Sequence, residues 1–306
     1  MTRRKVIVTV APTGGLIGKA AAPHLPTQPQ EIADAVQACA ALGASVAALH
    51  ARRTDDTATC EPEIYRSING LVRQSCDVII NNSTGGGVGP DLIRVLPDGR
   101  KEVDFNARLR ATEAGAEMCT FDPQTMSMIA DDEDILFHTP FKRCVILAER
   151  MRDEGIKPEW EIYSPADLPV VERLISMGYD STPYYINIVL GTQNSFSGTM
   201  PYSSDILELT IRMLPVDSIF CVSAIGAAQL PATTEAILRG GHVRVGMEDN
   251  LQMEAGLSAT NESLVERTVS IVEKLGCEPA TATESRELLG LQALATATVA
   301  GNGAGR

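Results

Sequence analysis

Gly240-Gly241-His242-Val243-Arg244-Val245-Gly246-Met247-Glu248-Asp249-Asn250 reads as a buried β-strand that runs out into charge. An extended chain alternates its side chains between two faces. His242, Arg244, Gly246 and Glu248 therefore share one face, while Val243, Val245 and Met247 share the other and look like packing residues. An arginine and a glutamate directed into one interior are costly unless they pair, bind a metal or meet a ligand. Asp249 adds a second carboxylate at the strand's exit. A structural ion pair would carry the same residues, so the functional reading depends on how the other strands end.

Seven further short apolar runs precede this one and alternate with longer amphipathic segments. The pattern predicts strands over 7–11, 45–50, 77–82, 117–121, 159–163, 185–190, 218–223 and 242–247. Helices are predicted over 28–42, 63–74, 106–114, 139–154, 168–177, 203–213 and 229–238. Val265, Val269 and Val272 lie at i, i+4, i+7 of one more amphipathic helix. It belongs to a C-terminal helical extension over about 261–291, and a Gly/Ala-rich end at 301–306 is expected to fray. Eight strands alternating with helices predict an α/β fold, a (β/α)8 TIM barrel forming one domain over 1–306. A doubly wound open sheet is the alternative. No dinucleotide fingerprint follows the first strand, since Thr13-Gly14-Gly15 is too short to be one.

A chain of 306 residues with 44 % hydrophobic content can bury one large core or two modest ones. The net charge of −13 opposes nonspecific binding to nucleic acid or an acidic membrane, yet a few local arginines would still admit an anionic ligand. The seven cysteines are scattered with no CxxC pair, which suits free thiols in a reducing cytoplasm and gives no zinc-knuckle spacing. Met1-Thr2-Arg3-Arg4-Lys5 is basic, but only a short apolar run follows, so neither a signal peptide nor a membrane span is predicted. A cytoplasmic protein with a small-molecule ligand is the expectation.

In a barrel, chemistry sits at the carboxyl ends of the strands. The first strand ends in Thr13, the second in His50 and Arg52, the third in Ser83-Thr84-Gly85-Gly86, and the fourth in Thr120 and Asp122. The fifth carries Glu159 and Glu161 on one face with Trp160 and Ile162 on the other, and the eighth supplies Arg244, Glu248 and Asp249. This convergence is an enzyme signal. His50 and Glu248 form a partial metal site with donors suited to zinc, although a hydrogen-bonded histidine would read the same. Arg244 with Glu161 and Asp249 makes a network that would hold one carboxylate ionised and positioned as a base. Ser83-Thr84-Gly85-Gly86 offers hydroxyls and backbone N–H groups to a substrate carboxylate or an oxyanion.

Pro23-His24-Leu25-Pro26, Leu49-His50-Ala51-Arg52, Ser83-Thr84-Gly85-Gly86-Gly87, Lys157-Pro158-Glu159, Val189-Leu190-Gly191, Ala227-Ala228-Gln229-Leu230-Pro231 and above all the stretch from Gly241 to Asn250 resemble the β-keto acid cleavage enzyme family. The resemblance runs from about residue 5 to 291. It implies a zinc-dependent TIM-barrel acyltransferase that takes a β-keto acid and acetyl-CoA as co-substrate and returns acetoacetate plus a CoA ester of the remainder. It also implies a homo-oligomer, a dimer or tetramer. Carried across, Glu248 and His50 match metal ligands, Asp249 the base, and Arg244 and Glu161 its supports. Ser83, Thr84, Gly85, Gly86 and Thr120 match substrate contacts.

Three positions depart from the family pattern. Its His-x-His is Ala48-Leu49-His50 here, which removes one of three protein ligands. Leu16 follows Gly14-Gly15 where the family often has an acid. Asp122 replaces a neutral residue and is a candidate compensating ligand, whereas His24, His138 and His242 fall elsewhere. Two other readings follow: a metal-free carbon–carbon bond or enolisation enzyme acting on a small carboxylic acid through Arg244 and Asp249, or a noncatalytic small-acid-binding paralogue. The loop over 191–199, with Thr192, Gln193 and Asn194, is expected to shape substrate choice.

Overall fold

Short β-branched runs whose alternate positions face different surroundings satisfy both faces as strands of a closed sheet wrapped in helices. The computed structural model describes residues 3–130 and 133–291. The runs form β1 (Val8–Val10), β2 (Val46–Leu49), β3 (Ile79–Asn82), β4 (Met118–Phe121), β5 (Lys157–Ile162), β6 (Tyr184–Leu190), β7 (Ser218–Ala224) and β8 (His242–Val245). Each pairs in parallel with the next, and β8 pairs with β1 through Val245 and Val10, closing the barrel. Closure excludes the open sheet.

Side-chain parity sorts the interior into layers. Ile7, Val46, Ile79, Met118, Tyr185 and Cys221 form an apolar floor. Two residues further along come Thr9, Ala48, Asn81, Thr120, Asn187, Ser223 and Arg244, with Glu159 from β5, all buried. Two residues beyond those stand His50, Ser83, Asp122 and Glu161, at the mouth. The opposite faces, such as Val8, Val10, Ile80, Trp160, Val243 and Val245, pack outward in the main core. Each large aliphatic side chain buried there stabilises the fold by about 1.5–3 kcal/mol.

The helices are α1 (Pro29–Ala41), α2 (Pro62–Ser75), α3 (Phe105–Leu109), α4 (Phe141–Asp153), α5 (Leu168–Ser176), α6 (Ser204–Arg212), α7 (Gln229–Leu238), α8 (Asn261–Lys274) and α9 (Ala282–Leu289). The helix expected over 106–114 is α3 followed by a 3-10 turn, Arg110–Ala114. α8 packs on α1, β1 and β8 as the eighth outer helix. α9 closes the floor, where Leu289 joins the apolar layer and Arg286 Nε donates to Glu117 Oε1 at 2.7 Å. The fraying expected at 301–306 lies outside the described residues.

The loops after β3 and β4 hold structure that the strand-and-helix reading left as connections. Ile93–Val95, Lys101–Val103, Met126–Ala130 and Glu133–Phe137 build a four-stranded sheet of their own. It is tied to the loop after β6, where Ile129 N donates to Ser195 O at 2.9 Å and Ser197 N donates to Ser127 O at 2.9 Å. Apolar side chains at alternate positions, Met126 and Met128, then Ile135 and Phe137, are the sequence signal for it. All seven cysteines are free. No helix among the described residues is long and apolar enough to cross a membrane.

Candidate active site

Strand alternation stops at Gly246, two residues earlier than the sequence pattern suggests. Gly246 has φ +152°, and a Cβ there would lie 2.1 Å from Ala11 O, so only glycine fits against β1. The chain then turns, with Asp249 N and Asn250 N donating to Gly246 O at 3.2 and 3.0 Å. This turn folds Glu248 and Asp249 back over Arg244.

The Arg244 guanidinium meets three carboxylates. Nε and Nη2 donate to Asp249 Oδ2 and Oδ1, both at 3.0 Å, and Nη1 donates to Glu161 Oε1 at 3.0 Å. Nη2 also lies 2.6 Å from Glu248 Oε1. Asn187 Nδ2 supports Glu161 Oε1 at 3.3 Å and is itself oriented by Ser223 Oγ, which donates to Asn187 Oδ1 at 3.0 Å. One cation cannot hold three buried acids equally ionised. Burial opposes ionisation of Glu248, but Arg244 and His50 outweigh it and hold its carboxyl at about 2. Burial lifts Asp249 to about 6, with Glu248's charge adding to the rise and Arg244 opposing it. Glu161 is pushed well up by burial against the pull of Arg244, with Asp122 and Glu159 adding. The environments thus pull the three carboxyls apart: Glu248 is held as an anion, Asp249 is poised near neutrality, and Glu161 is biased toward its protonated form.

His50 Nδ1 lies 2.9 Å from Gly86 O, which only accepts, so Nδ1 carries a proton and Nε2 faces Glu248 Oε1 at 3.3 Å. These two donors point at one spot. The first position of the His-x-His motif is here the buried methyl of Ala48, beside Asn81 on β3. No group of three His, Cys, Asp or Glu side chains able to hold a metal occurs among the described residues. The donor set falls one short of the three protein ligands of a catalytic zinc.

The other expected residues divide. Ser83, Gly85 and Gly86 line the cavity, with Gly85 N donating to Ser83 Oγ at 3.1 Å and Tyr65 OH to Ser83 O at 2.9 Å. Thr84 and Thr120 do not reach it. Thr84 N donates to Thr120 Oγ1 at 3.0 Å and Thr84 Oγ1 to Thr120 O at 2.7 Å, so both hydroxyls are spent joining the ends of β3 and β4. Asp122 lines the cavity beside Arg108, whose Nη2 is 3.7 Å from Asp122 Oδ2, and so has an arginine partner of its own rather than joining His50 and Glu248 as a ligand. Arg52 is buried and donates to the carbonyls of Gly14, Ile17 and Asp56, pinning the loop after β1.

The cavity measures about 200 Å³. His50, Ser83, Asp122, Glu161, Arg244, Glu248 and Asp249 supply its polar wall. Leu16, noted in the sequence for standing where an acid is often found, joins the apolar wall, and residues not singled out from the sequence supply the rest: Met126, Met128 and Phe137 from the four-stranded sheet, Tyr163 after β5, and Ile17 after β1. Of the loop over 191–199, Thr192, Ser195 and Phe196 line it, whereas Gln193 and Asn194 are exposed.

A family model described as beta-keto acid cleavage enzyme matches residues 5–291. The 3-keto-5-aminohexanoate cleavage enzyme of Acetoanaerobium sticklandii is 33 % identical over 289 residues, 94 % of this chain and 98 % of that protein. The 3,5-dioxohexanoate:acetyl-CoA acetone transferase of Paraburkholderia graminis is 26 % identical across 96 % of this chain and 98 % of its own. Among solved structures, the binary complex of ObcA with oxaloacetate superposes with a TM-score of 0.66 at 17 % identity, over 89 % of this chain and 68 % of that one, a likeness of fold. A full-length family match and a relative one-third identical from end to end agree with the motif at the end of β8: this chain belongs to the β-keto acid cleavage enzyme family.

Proposed function

We propose that the chain exchanges acyl groups between a β-keto acid and acetyl-CoA. In this reaction R–CO–CH2–COO⁻ and CH3–CO–SCoA become R–CO–SCoA and CH3–CO–CH2–COO⁻. The observation that carries the proposal is Arg244 clamping Asp249 with two 3.0 Å hydrogen bonds at the cavity wall, between two further carboxylates. Asp249, poised at about 6, takes a proton from the carbon between keto and carboxylate groups. The resulting enolate carbon attacks the acetyl thioester and expels CoA thiolate. The thiolate then attacks the original keto carbon, the bond between the two carbons breaks, and the proton held by Asp249 returns to the acetoacetate carbon. Arg244 keeps Asp249 oriented through both transfers, and Ser83 with the Gly85–Gly86 backbone offers donors to developing negative oxygen. The two donors His50 and Glu248 fall short of a three-ligand zinc, so no step is routed through a metal.

A cytoplasmic homo-oligomer, dimer or tetramer, is part of the same proposal and rests on the free cysteines and the family likeness. The test supplies purified protein with acetyl-CoA and a panel of β-keto acids, and follows acetoacetate and new CoA esters by mass spectrometry. Both products are expected from at least one member, and Asp249→Asn should lower the rate about 100-fold or more, as loss of a general base does. Folded protein that yields neither product across the panel overturns the proposal.

A further inference from the structure

Beneath the carboxylate cluster the barrel interior holds a polar layer that the exchange reaction does not use. In a closed eight-stranded barrel the inward side chains of alternate strands meet in one layer across the axis. Thr9 from β1, Asn81 from β3 and Glu159 from β5 share such a layer, and Tyr185 from β6 reaches it from the apolar floor. All four are fully buried, at 0 % exposure. Asn81 Nδ2 donates to Glu159 Oε2, which leaves the amide oxygen Oδ1 as the open atom. Thr9 Oγ1, Asn81 Oδ1, Glu159 Oε1 and the Tyr185 hydroxyl have no hydrogen-bond partner among the described residues. Burial pushes the Tyr185 phenol well up, with Cys221 and Glu159 adding and Thr9 opposing, so its hydroxyl lies among these groups. One orphaned buried oxygen is rare and costly, and four in one place point to a shared partner.

Charge decides what that partner carries. Arg244 is committed to Glu161, Glu248 and Asp249, and Glu159 is the carboxylate of the upper interior that it does not bond. Burial pushes the Glu159 carboxyl up, Arg244 and Asn81 oppose the rise, and Glu248 and Asp249 add to it. A proton on Glu159 would have to sit on Oε1, since Oε2 accepts from Asn81, and Oε1 has no acceptor in reach. A water molecule would satisfy the hydrogen bonds and leave the charge. A cation does both. One carboxylate, one amide and two hydroxyl oxygens are the hard donors such ions take. A single formal charge among them matches a monovalent ion, because the further carboxylates a divalent ion would draw on are held by Arg244. Beside Asn81, β2 contributes only the methyl of Ala48, so no bulky side chain competes for the place.

We propose that Thr9, Asn81, Glu159 and Tyr185 bind a monovalent alkali cation inside the barrel, below and separate from the pair His50 and Glu248. The site stands independently of the acyl-exchange reading. Its cation balances Glu159 within its own layer and leaves Arg244 to the three carboxylates that it already bonds.

Two measurements on the full chain test this. Crystals soaked in thallium(I) should show an anomalous peak among the four oxygens. Thermal unfolding is compared in sodium, potassium and N-methylglucamine chloride at equal ionic strength, which separates binding from screening. An alkali ion at about ten times its dissociation constant should raise Tm by roughly 2–4 °C over the bulky organic cation, and the better of the two names the ion. Glu159→Gln should abolish both the peak and the difference in Tm. If that variant does not fold, Thr9→Val, which removes one oxygen and no charge, should weaken both. Density at this place without anomalous signal, together with equal Tm in all three salts, identifies a buried water and overturns the proposal. A folded variant that keeps the full difference in Tm overturns it too, since the ion then binds elsewhere.

Discussion

Arg244 shows how far one side chain can be read from its neighbours. Strand parity alone placed Arg244 and Glu161 in the barrel interior, where a lone guanidinium is untenable, and the structure joins them at 3.0 Å. Parity also placed Ala48 beneath His50 on one face, and that is what leaves the two donors without a third. A histidine restored at 48 would rise from the same face about 7 Å down the strand, within reach of the spot that His50 Nε2 and Glu248 share. Ala48→His should therefore bind zinc at least about tenfold more tightly than the parent chain, measured by chelator competition. The larger ring costs about 1–3 kcal/mol in a packed layer, which a melting curve would register. Equal zinc affinity in the two proteins would mean that another group already fills the third place. Thr84 and Thr120 were misread for a reason just as local: sequence shows a hydroxyl, but not whether a neighbouring strand has already claimed it.

At the scale of elements, strands were legible because each repeats the same two-faced environment, whereas loops answer to single contacts. The turn after β8 is the instructive case. Continued alternation would have carried Glu248 about 13 Å from Arg244 along a strand, and Gly246 instead returns it to 2.6 Å. The four-stranded sheet beside the mouth was missed because its segments are short and sit where a barrel needs only connections, although its alternation was present in the sequence. The loops after β1 and β3 are fitted to each other through glycines. A Cβ on Gly15 would stand 2.2 Å from Gly86 O and 2.7 Å from Gly87 Cα, both backbone atoms that cannot swing aside. Gly86 O is also the acceptor that orients His50. Gly15→Ala should thus destabilise the protein by about 1–3 kcal/mol and move His50 as well. Gly18→Ala, where nothing lies within 4 Å of the new methyl, is the matched control and should change stability by less than about 0.5 kcal/mol. Similar melting temperatures for the two variants would show that the loops are not fitted in this way.

For the molecule as a whole, the barrel sets an apolar floor against a polar upper interior, and His242 stands at the boundary between β8 and β1. Its ring is buried, and its Nδ1 accepts from Ile7 N at 3.0 Å, so the neutral imidazole with its proton on Nε2 helps close the barrel. Burial, with Arg4 adding repulsion, lowers its pKa from 6.5 to about 4. The folded pKa is depressed, so the unfolded chain takes up this proton first as the pH falls. The stability it contributes is complete above pH 6.5 and is lost on acidification from there to about pH 4, by about 3 kcal/mol for a shift of this size. Asp249 and Glu161 act in the opposite sense, because acids whose folded pKa is raised by burial gain stability on acidification, and the net curve blends both. The His242→Asn variant isolates the histidine: the amide oxygen can accept from Ile7 N without titrating in this range. Urea midpoints taken from pH 7.5 to 4 should nearly coincide for the two proteins at the upper end. Below pH 6.5 the parent should fall away while the variant declines more slowly. Parallel curves would mean that His242 does not resist protonation and that the seam between β8 and β1 closes without a neutral ring.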